Sequence, residues 1–329
     1  MTQAAEILLL RADDVFELFS LRAAIESQRQ AFMAHGRGET QLQRALLDGP
    51  DDSTTFSYAS RLSAGSGPVA KFGSVVPANE LKGLPVVSAI VMALDGVDGR
   101  PAALIDGTAI TSLRTSAASA VAAEALCISG SKDLAVVGTG VQGQAHVRAI
   151  VHQLDIRSVR IWGPLDLQSQ LAATELTQSL GVPVTAVDSA ERAVANAQVV
   201  VTCTTSASPV IKASWLIPGA TVISVGSFAA DRFEVGDDLL ARSDAIVVDD
   251  IRIATEQAGP IVRGLDAGLI NPTDLVSLGE LVCGVRAGRR ADTDIVYYNS
   301  VGLGIQDAAA AWTIINAARA TGRGQIIQW

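Results

Sequence analysis

Aromatic side chains are scarce in this chain. Seven Phe, four Trp and three Tyr make up 4% of its 329 residues. The aromatic and basic interleaving that grips nucleic acid is therefore missing. Positive charge is short as well, with 25 Lys and Arg against 34 Asp and Glu and a net charge of −9. No basic run appears, which argues against a nucleic-acid partner. Histidine and cysteine number three each. His35, His146 and His152 show no metal-ligand spacing, so no metal is expected. Cys127, Cys203 and Cys283 are far apart on apolar stretches and read as buried, reduced thiols. No apolar run has the length of a membrane span, and residues 7–10 are too short for a signal-peptide core. Tandem repeats and low-complexity segments are also missing. These absences leave a cytoplasmic protein with neither a membrane nor a nucleic-acid partner.

What is present is aliphatic. Hydrophobic residues make up 49% of the chain, enough for a large core and two domains. One stretch, residues 134–154, organises the rest. Leu134, Ala135, Val136 and Val137 read as a buried parallel strand. Gly138, Gly140 and Gly143 follow at G-x-G-x-x-G spacing. Val147, Ile150, Val151 and Leu154 then recur at helical spacing. In such a strand–turn–helix unit the first glycine turns the chain and the second admits a pyrophosphate. The third lets helix and strand pack closely. The N–H groups that open the helix face an anion. The reading is a dinucleotide site on Gly138, Thr139, Gly140, Val141, Gln142 and Gly143.

The flanking segments fit an α/β fold: a Rossmann-type doubly wound parallel sheet plus an α+β domain. Residues 14–19 and 21–32 read as two short helices, the second capped by Ser20. Residues 56–59, 69–76 and 86–94 have strand-like composition, and 101–105 returns as a hairpin partner. Residues 108–126 read as a long helix joining the domains. Strands at 159–162, 184–187, 199–202, 221–225 and 245–248 alternate with helices at 171–180 and 191–196. The last strand is placed at 295–298, and 301–318 reads as a helix returning to the first domain. The expected domains are 1–125, with about 302–329 packing back, and 126–301.

On the cofactor side, an NAD enzyme usually closes its second Rossmann strand with Asp or Glu. Here that position is Gly163, and Asp166 lies beyond a proline. NADP(H) is therefore the preferred coenzyme, with NAD(H) as the alternative. Thr204 and its small polar neighbours end the fourth Rossmann strand, where they could line the nicotinamide ribose or simply form a turn.

Three cations stand out in the first domain. Arg44 lies in a loop-like stretch, Lys71 inside a strand-like run and Arg114 inside an Ala-rich helix. A charge in such apolar surroundings is costly unless paired or used.

With these residues in view, the chain resembles the ornithine cyclodeaminase/mu-crystallin family. The matching stretches are Val69-Ala70-Lys71, Val76-Pro77-Ala78-Asn79, Leu104-Ile105-Asp106-Gly107 and Leu113-Arg114-Thr115-Ser116-Ala117-Ala118. Gly138 to Gly143 and Asn299-Ser300-Val301-Gly302-Leu303-Gly304-Ile305-Gln306-Asp307 complete the set. They run in the family's order over most of the chain. The resemblance implies a substrate and dimerisation domain before a Rossmann domain, and a homodimer. It implies that Arg44, Lys71 and Arg114 gather as catalytic residues around a substrate carboxylate. It also implies that Thr115, Val225, Gly226, Ser227 and Gly302 join the glycine loop and Thr204 at the coenzyme.

The family divides by reaction. Its cyclodeaminases resemble one another in an aspartate after the fifth Rossmann strand, in a Gly-x-Asp pattern. This chain reads Gly226-Ser227-Phe228 there, and Asp231 is three residues on. Asn299 stands where many relatives carry lysine. The expected activity is NAD(P)H-dependent reduction of small cyclic ketimines, Δ1-pyrroline-2-carboxylate and Δ1-piperideine-2-carboxylate. The alternatives are a cyclodeaminase, an open-chain amino-acid dehydrogenase or a non-catalytic crystallin-like binding protein.

Overall fold

The computed structural model describes residues 6–328. The chain opens with β1 (Glu6–Leu10), α1 (Ala12–Leu18) and α2 (Leu21–Gly36). Ser20 caps α2 by accepting a hydrogen bond from the Ala23 amide. Strands β2 (Gln41–Asp48), β3 (Thr54–Arg61), β4 (Val69–Val75), β5 (Val87–Leu94) and β6 (Pro101–Asp106) follow. Helix α3 (Gly107–Leu126) leads into β7 (Asp133–Val137), α4 (Val141–Gln153), β8 (Ser158–Trp162) and α5 (Asp166–Leu180). The alternation continues with β9 (Val184–Ala186), α6 (Ala190–Val194), β10 (Val199–Thr202) and β11 (Thr221–Ser224). Then come α7 (Asp237–Arg242), β12 (Ala245–Val248), α8 (Ile251–Gln257), α9 (Gly259–Asp266), β13 (Leu275–Ser277) and α10 (Leu278–Val282). The chain closes with β14 (Val296–Asn299), α11 (Gly304–Thr321) and β15 (Gln325–Gln328).

The described residues form two compact units. One runs up to Arg114 and resumes at Leu303; the other is Thr115–Gly302. The division falls inside α3, where composition shows no break.

The first unit holds a seven-stranded sheet in the order β15-β1-β6-β5-β4-β3-β2 among the described residues. Side chains alternate across a strand, and β4 shows the consequence. Lys71 is buried while Phe72 is 59% exposed. The covered face packs on α11, and α2 packs on α11 in turn. Helix α11 is alanine-rich and buried through residues 304–311, as a helix apolar on most sides should be. Gly304 lets its first turn approach the sheet, since a Cβ there would lie 3.1 Å from the Ser60 hydroxyl. On the opposite face Phe72 and Ile90 pair across β4 and β5. Both are exposed, with Met92 beside them on β5.

The second unit is a parallel sheet in the order β13-β12-β14-β11-β10-β7-β8-β9. Its direction of winding reverses between β7 and β10, the switch point at which such sheets bind ligands. Strands β7, β10 and β11 are buried almost throughout, as the central strands of a sheet covered on both faces must be.

Several expectations need correction. Arg44 is not in a loop; it lies in β2, the edge strand. The strand near residue 295 is not the last, because β15 follows and pairs antiparallel with β1. Helix α5 begins at Asp166, five residues before the expected start, after the Pro164 turn. Strand β13 and helices α7 to α9 had no counterpart in the sequence reading.

Candidate active site

In the first unit, register gathers the cations. Arg44 on β2 pairs with Tyr58 on β3, and Tyr58 pairs with Lys71 on β4. Directly paired residues share a face, so one row carries all three. The Arg44 guanidinium lies 4.8 Å from the Tyr58 ring centroid. Lys71 is 2% exposed. Its Nζ donates to Thr111 Oγ1 at 2.6 Å and to Asp307 Oδ1 at 3.0 Å. Thr111 in turn donates to the Gly107 carbonyl at 2.6 Å, so its oxygen acts as acceptor toward the lysine. Burial pulls the Lys71 pKa down from 10.5 to about 8, with Asp307 opposing that shift.

Arg114 on α3 reaches the same carboxylate, its Nε 3.5 Å from Asp307 Oδ1. Its Nη1 donates to Gln306 Oε1 at 3.2 Å, and Gln306 Oε1 also accepts the Leu303 amide at 2.7 Å. Gln28 of α2 donates to the Gln306 carbonyl, tying the start of α11 down from the other side. Two cations, Lys71 and Arg114, thus meet one carboxylate, and Arg44 lies on the same strand row beside Tyr58. The surplus of positive charge suits an anionic ligand, and two guanidinium forks suit a carboxylate.

The second unit carries the glycine loop. Gly138 has φ +115°, and a Cβ there would run into the Cys203 carbonyl. A Cβ on Gly143 would overlap the Gly138 carbonyl. A Cβ on Gly140, the N-cap of α4, would meet nothing within 4 Å. Two glycines are thus demanded by the fold and the third borders open space at a helix N-terminus. That arrangement fits a dinucleotide pyrophosphate. Thr139 is buried within the loop, and exposed Val141 begins the helix with Gln142 next to it. A Cβ at Gly163 would lie 2.5 Å from Thr139 Oγ1, so the threonine fills the space that a ribose-binding carboxylate would need for its root.

His146 is fully buried under this loop. Its Nδ1 is 2.7 Å from the Gln142 carbonyl and its Nε2 is 3.0 Å from Ser119 Oγ. A carbonyl only accepts, so Nδ1 carries the hydrogen and Nε2 accepts from the serine. Burial lowers the His146 pKa to about 4, which keeps the ring neutral. The ring thus anchors the first turn of α4 to α3. Thr115 lies on α3, buried, one turn before Ser119.

Thr204, Val225, Gly226 and Ser227 lie just beyond the ends of β10 and β11, and Gly302 just beyond β14. Two buried carboxylates pin these loops. Glu234 takes the Thr204 and Gly226 amides. Asp249 takes the Val301 and Gly302 amides at 2.8 and 2.7 Å, the Ser300 hydroxyl at 3.1 Å and the Tyr298 hydroxyl. Burial raises the Asp249 pKa despite these bonds. Asn299 accepts from the Tyr297 hydroxyl at 2.6 Å. Phe228 and Asp231 are both exposed.

The sequence reading therefore named Arg44, Lys71 and Arg114 but missed Asp307, Glu234 and Asp249. A signal existed for Asp307: it is a lone carboxylate in an Ala-rich helix, the reasoning already applied to Arg114. Among the described residues no cluster could hold a metal ion, and no helix is long and apolar enough to cross a membrane.

Comparison with known proteins identifies the family and the fold. Residues 8–322 match the ornithine cyclodeaminase/mu-crystallin family. A Δ1-pyrroline-2-carboxylate reductase of Bacillus cereus is 30% identical over 260 residues, 79% of this chain and 80% of that protein. The Thermococcus litoralis Δ1-pyrroline-2-carboxylate reductase, solved with NADH and L-proline, superposes with a TM-score of 0.94 at 30% identity. It covers 98% of this chain and 100% of its own. An archaeal alanine dehydrogenase dimer with bound NAD has a TM-score of 0.93 at 28% identity, covering 99% and 100%.

Proposed function

This chain belongs to the ornithine cyclodeaminase/mu-crystallin family, and we propose that within it the protein is a ketimine reductase. It is a nicotinamide-dependent oxidoreductase acting on C=N or CH–NH bonds. The substrates proposed are Δ1-pyrroline-2-carboxylate and Δ1-piperideine-2-carboxylate, reduced to proline and pipecolate. The observation that carries this reading is the excess of positive charge where Lys71 and Arg114 are buried against the single carboxylate of Asp307, with half-buried Arg44 on the same strand row.

Each residue has a task that its surroundings permit. Arg114 and Arg44 hold the substrate carboxylate, which fixes the ring. Lys71, with a pKa near 8, gives a proton to the ring nitrogen. Asp307 aims Lys71 and supports its charged form. The bound nicotinamide supplies the hydride. With the coenzyme bound, its hydride would go to the C=N carbon while Lys71 protonates the nitrogen, which would leave a secondary amine. Phe228 brings an apolar ring where a cyclodeaminase has a base, which disfavours addition of water to the imine.

NADP(H) is the proposed preference, with NAD(H) usable, because Gly163 offers no carboxylate to repel a 2′-phosphate. A homodimer is proposed through the exposed face of the first sheet, where Phe72, Ile90 and Met92 form an apolar row. An exposed apolar row on a sheet suits a second copy of itself.

The test is coenzyme oxidation against a panel of cyclic imino acids and of keto acids with ammonia or amines. Fast turnover confined to the cyclic substrates supports the proposal. Turnover confined to keto acids with ammonia would replace it by an open-chain dehydrogenase, and no turnover at all by a binding protein.

A further inference from the structure

Glu234 is fully buried, yet every hydrogen-bonding partner it has is neutral. Its Oε2 accepts from Thr202 Oγ1 at 2.9 Å, from Ser224 Oγ at 2.9 Å and from the Gly226 amide at 2.6 Å. Its Oε1 accepts from the Thr204 amide at 2.5 Å and from Thr204 Oγ1 at 2.8 Å. Both oxygens face only donors. A glutamine would turn its NH2 onto one of them, so the position calls for a carboxylate. The approach is close on the other side as well: a Cβ on Gly226 would lie 2.7 Å from Glu234 Cδ.

The donors belong to two strand ends. Thr202 and Thr204 close β10, and Ser224 and Gly226 close β11. Strand β10 flanks β7 at the switch point, and the Cys203 carbonyl abuts Gly138 of the glycine loop. A dinucleotide whose pyrophosphate rests on that loop extends along these carboxyl ends. An uncompensated charge in a low-dielectric interior acts over many ångströms. The nicotinamide ring is cationic when oxidised and neutral when reduced, so such a charge distinguishes the two forms.

We infer that Glu234 is a positioning residue that fastens the ends of β10 and β11 at the nicotinamide and biases the bound coenzyme toward its oxidised form. This rests on the reading of the second unit as nicotinamide-binding and extends it from binding to redox bias. A protein that tightens on the oxidised coenzyme favours giving up the hydride, the direction a reductase needs.

The test is equilibrium binding by fluorescence and competition titration. Dissociation constants for NADP⁺ and NADPH, and for NAD⁺ and NADH, are measured on the wild type and on Glu234→Gln. Loss of the charge should weaken the oxidised form about tenfold relative to the reduced form. Equal weakening of both would make Glu234 a purely structural brace and overturn the inference. Thr202→Val, nearly isosteric, keeps the charge but removes one donor that shields it. It should shift the ratio the opposite way, about twofold. No shift in that variant, or a shift in the direction of Glu234→Gln, also overturns the inference. If the wild type binds none of the four coenzymes, the nicotinamide reading fails and this inference falls with it.

Discussion

Lys71 and Asp307 are 236 residues apart in the chain and 3.0 Å apart in space, with both side chains almost wholly buried. Neither is affordable there alone. A buried ammonium without a counter-charge costs several kcal/mol, and so does a buried carboxylate. Together they form a lysine that burial has moved to a pKa of about 8, within reach of neutral pH.

The first prediction is a pH profile. Lys71 donates a proton only when charged, so kcat/KM should be level below about pH 8 and fall above it. Asp307 raises the Lys71 pKa, opposing the effect of burial. Asp307→Asn should therefore move the fall to lower pH, by about one unit. An Asp307→Asn profile that overlays the wild type would show that the carboxylate does not set the lysine.

The carboxylate clamp gives the second. Arg114→Leu should raise KM for the imine roughly 30- to 150-fold, the worth of ~2–3 kcal/mol for a charge-assisted pair. Coenzyme affinity should stay within about twofold, since the partners of the Arg114 guanidinium are Gln306 and Asp307 rather than the glycine loop. Unchanged KM in a folded variant would remove Arg114 from the site.

Coenzyme choice is the third. NADPH should give a higher kcat/KM than NADH. Gly163→Asp alone would drive its Cβ into Thr139 Oγ1, so the informative variant pairs it with Thr139→Ala. That double variant should shift preference toward NADH. A wild-type preference for NADH would refute the assignment.

The fourth separates reductase from cyclodeaminase. With ornithine and NAD(P)⁺ the protein should release negligible ammonia and form negligible proline. A carboxylate base is worth roughly 10²–10⁴-fold in rate, and Phe228 is no base. Asp231 is exposed and would have to swing inward to serve. Stoichiometric ammonia and proline at useful rates would overturn the reductase assignment.

Assembly is the fifth. Phe72→Asp places a charge at the centre of the exposed apolar row without touching the buried face of β4. Light scattering should report the wild type as a dimer and the variant as a monomer at micromolar concentration. A wild type that is monomeric removes the proposed interface.

Much of this architecture could be read in advance, and the reasons differ by region. Strands β7, β10 and β12 announce themselves as runs such as Val199-Val200-Val201, because strands covered on both faces are apolar at every position. The glycine loop was legible because Gly138 and Gly143 have no room for a side chain. Arg44 was misplaced because β2 is an edge strand and largely exposed, so its apolar alternation is weak. Its register, not its composition, brings it to Lys71. Asp307 carried a local signal, a lone carboxylate in an Ala-rich helix, whereas Glu234 and Asp249 were missed for a common reason. A buried carboxylate is defined by donors scattered along the chain, as Glu234 is by Thr202, Thr204, Ser224 and Gly226. No local spacing records that convergence.

The pairing of β1 with β15, Glu6 opposite Gln328, also constrains how the protein is made. A ribosome delivers the chain from its N-terminus. Residues up to Arg114 emerge long before α11, which covers their sheet and brings Asp307 to Lys71. Until then a half-built apolar face and an unneutralised ammonium remain in water. The early segment therefore waits in an open state while the Thr115–Gly302 unit, contiguous in sequence, can close as it is synthesised. The first unit to leave the ribosome is the last to finish folding, and a chaperone that shields its sheet has the longest interval in which to act.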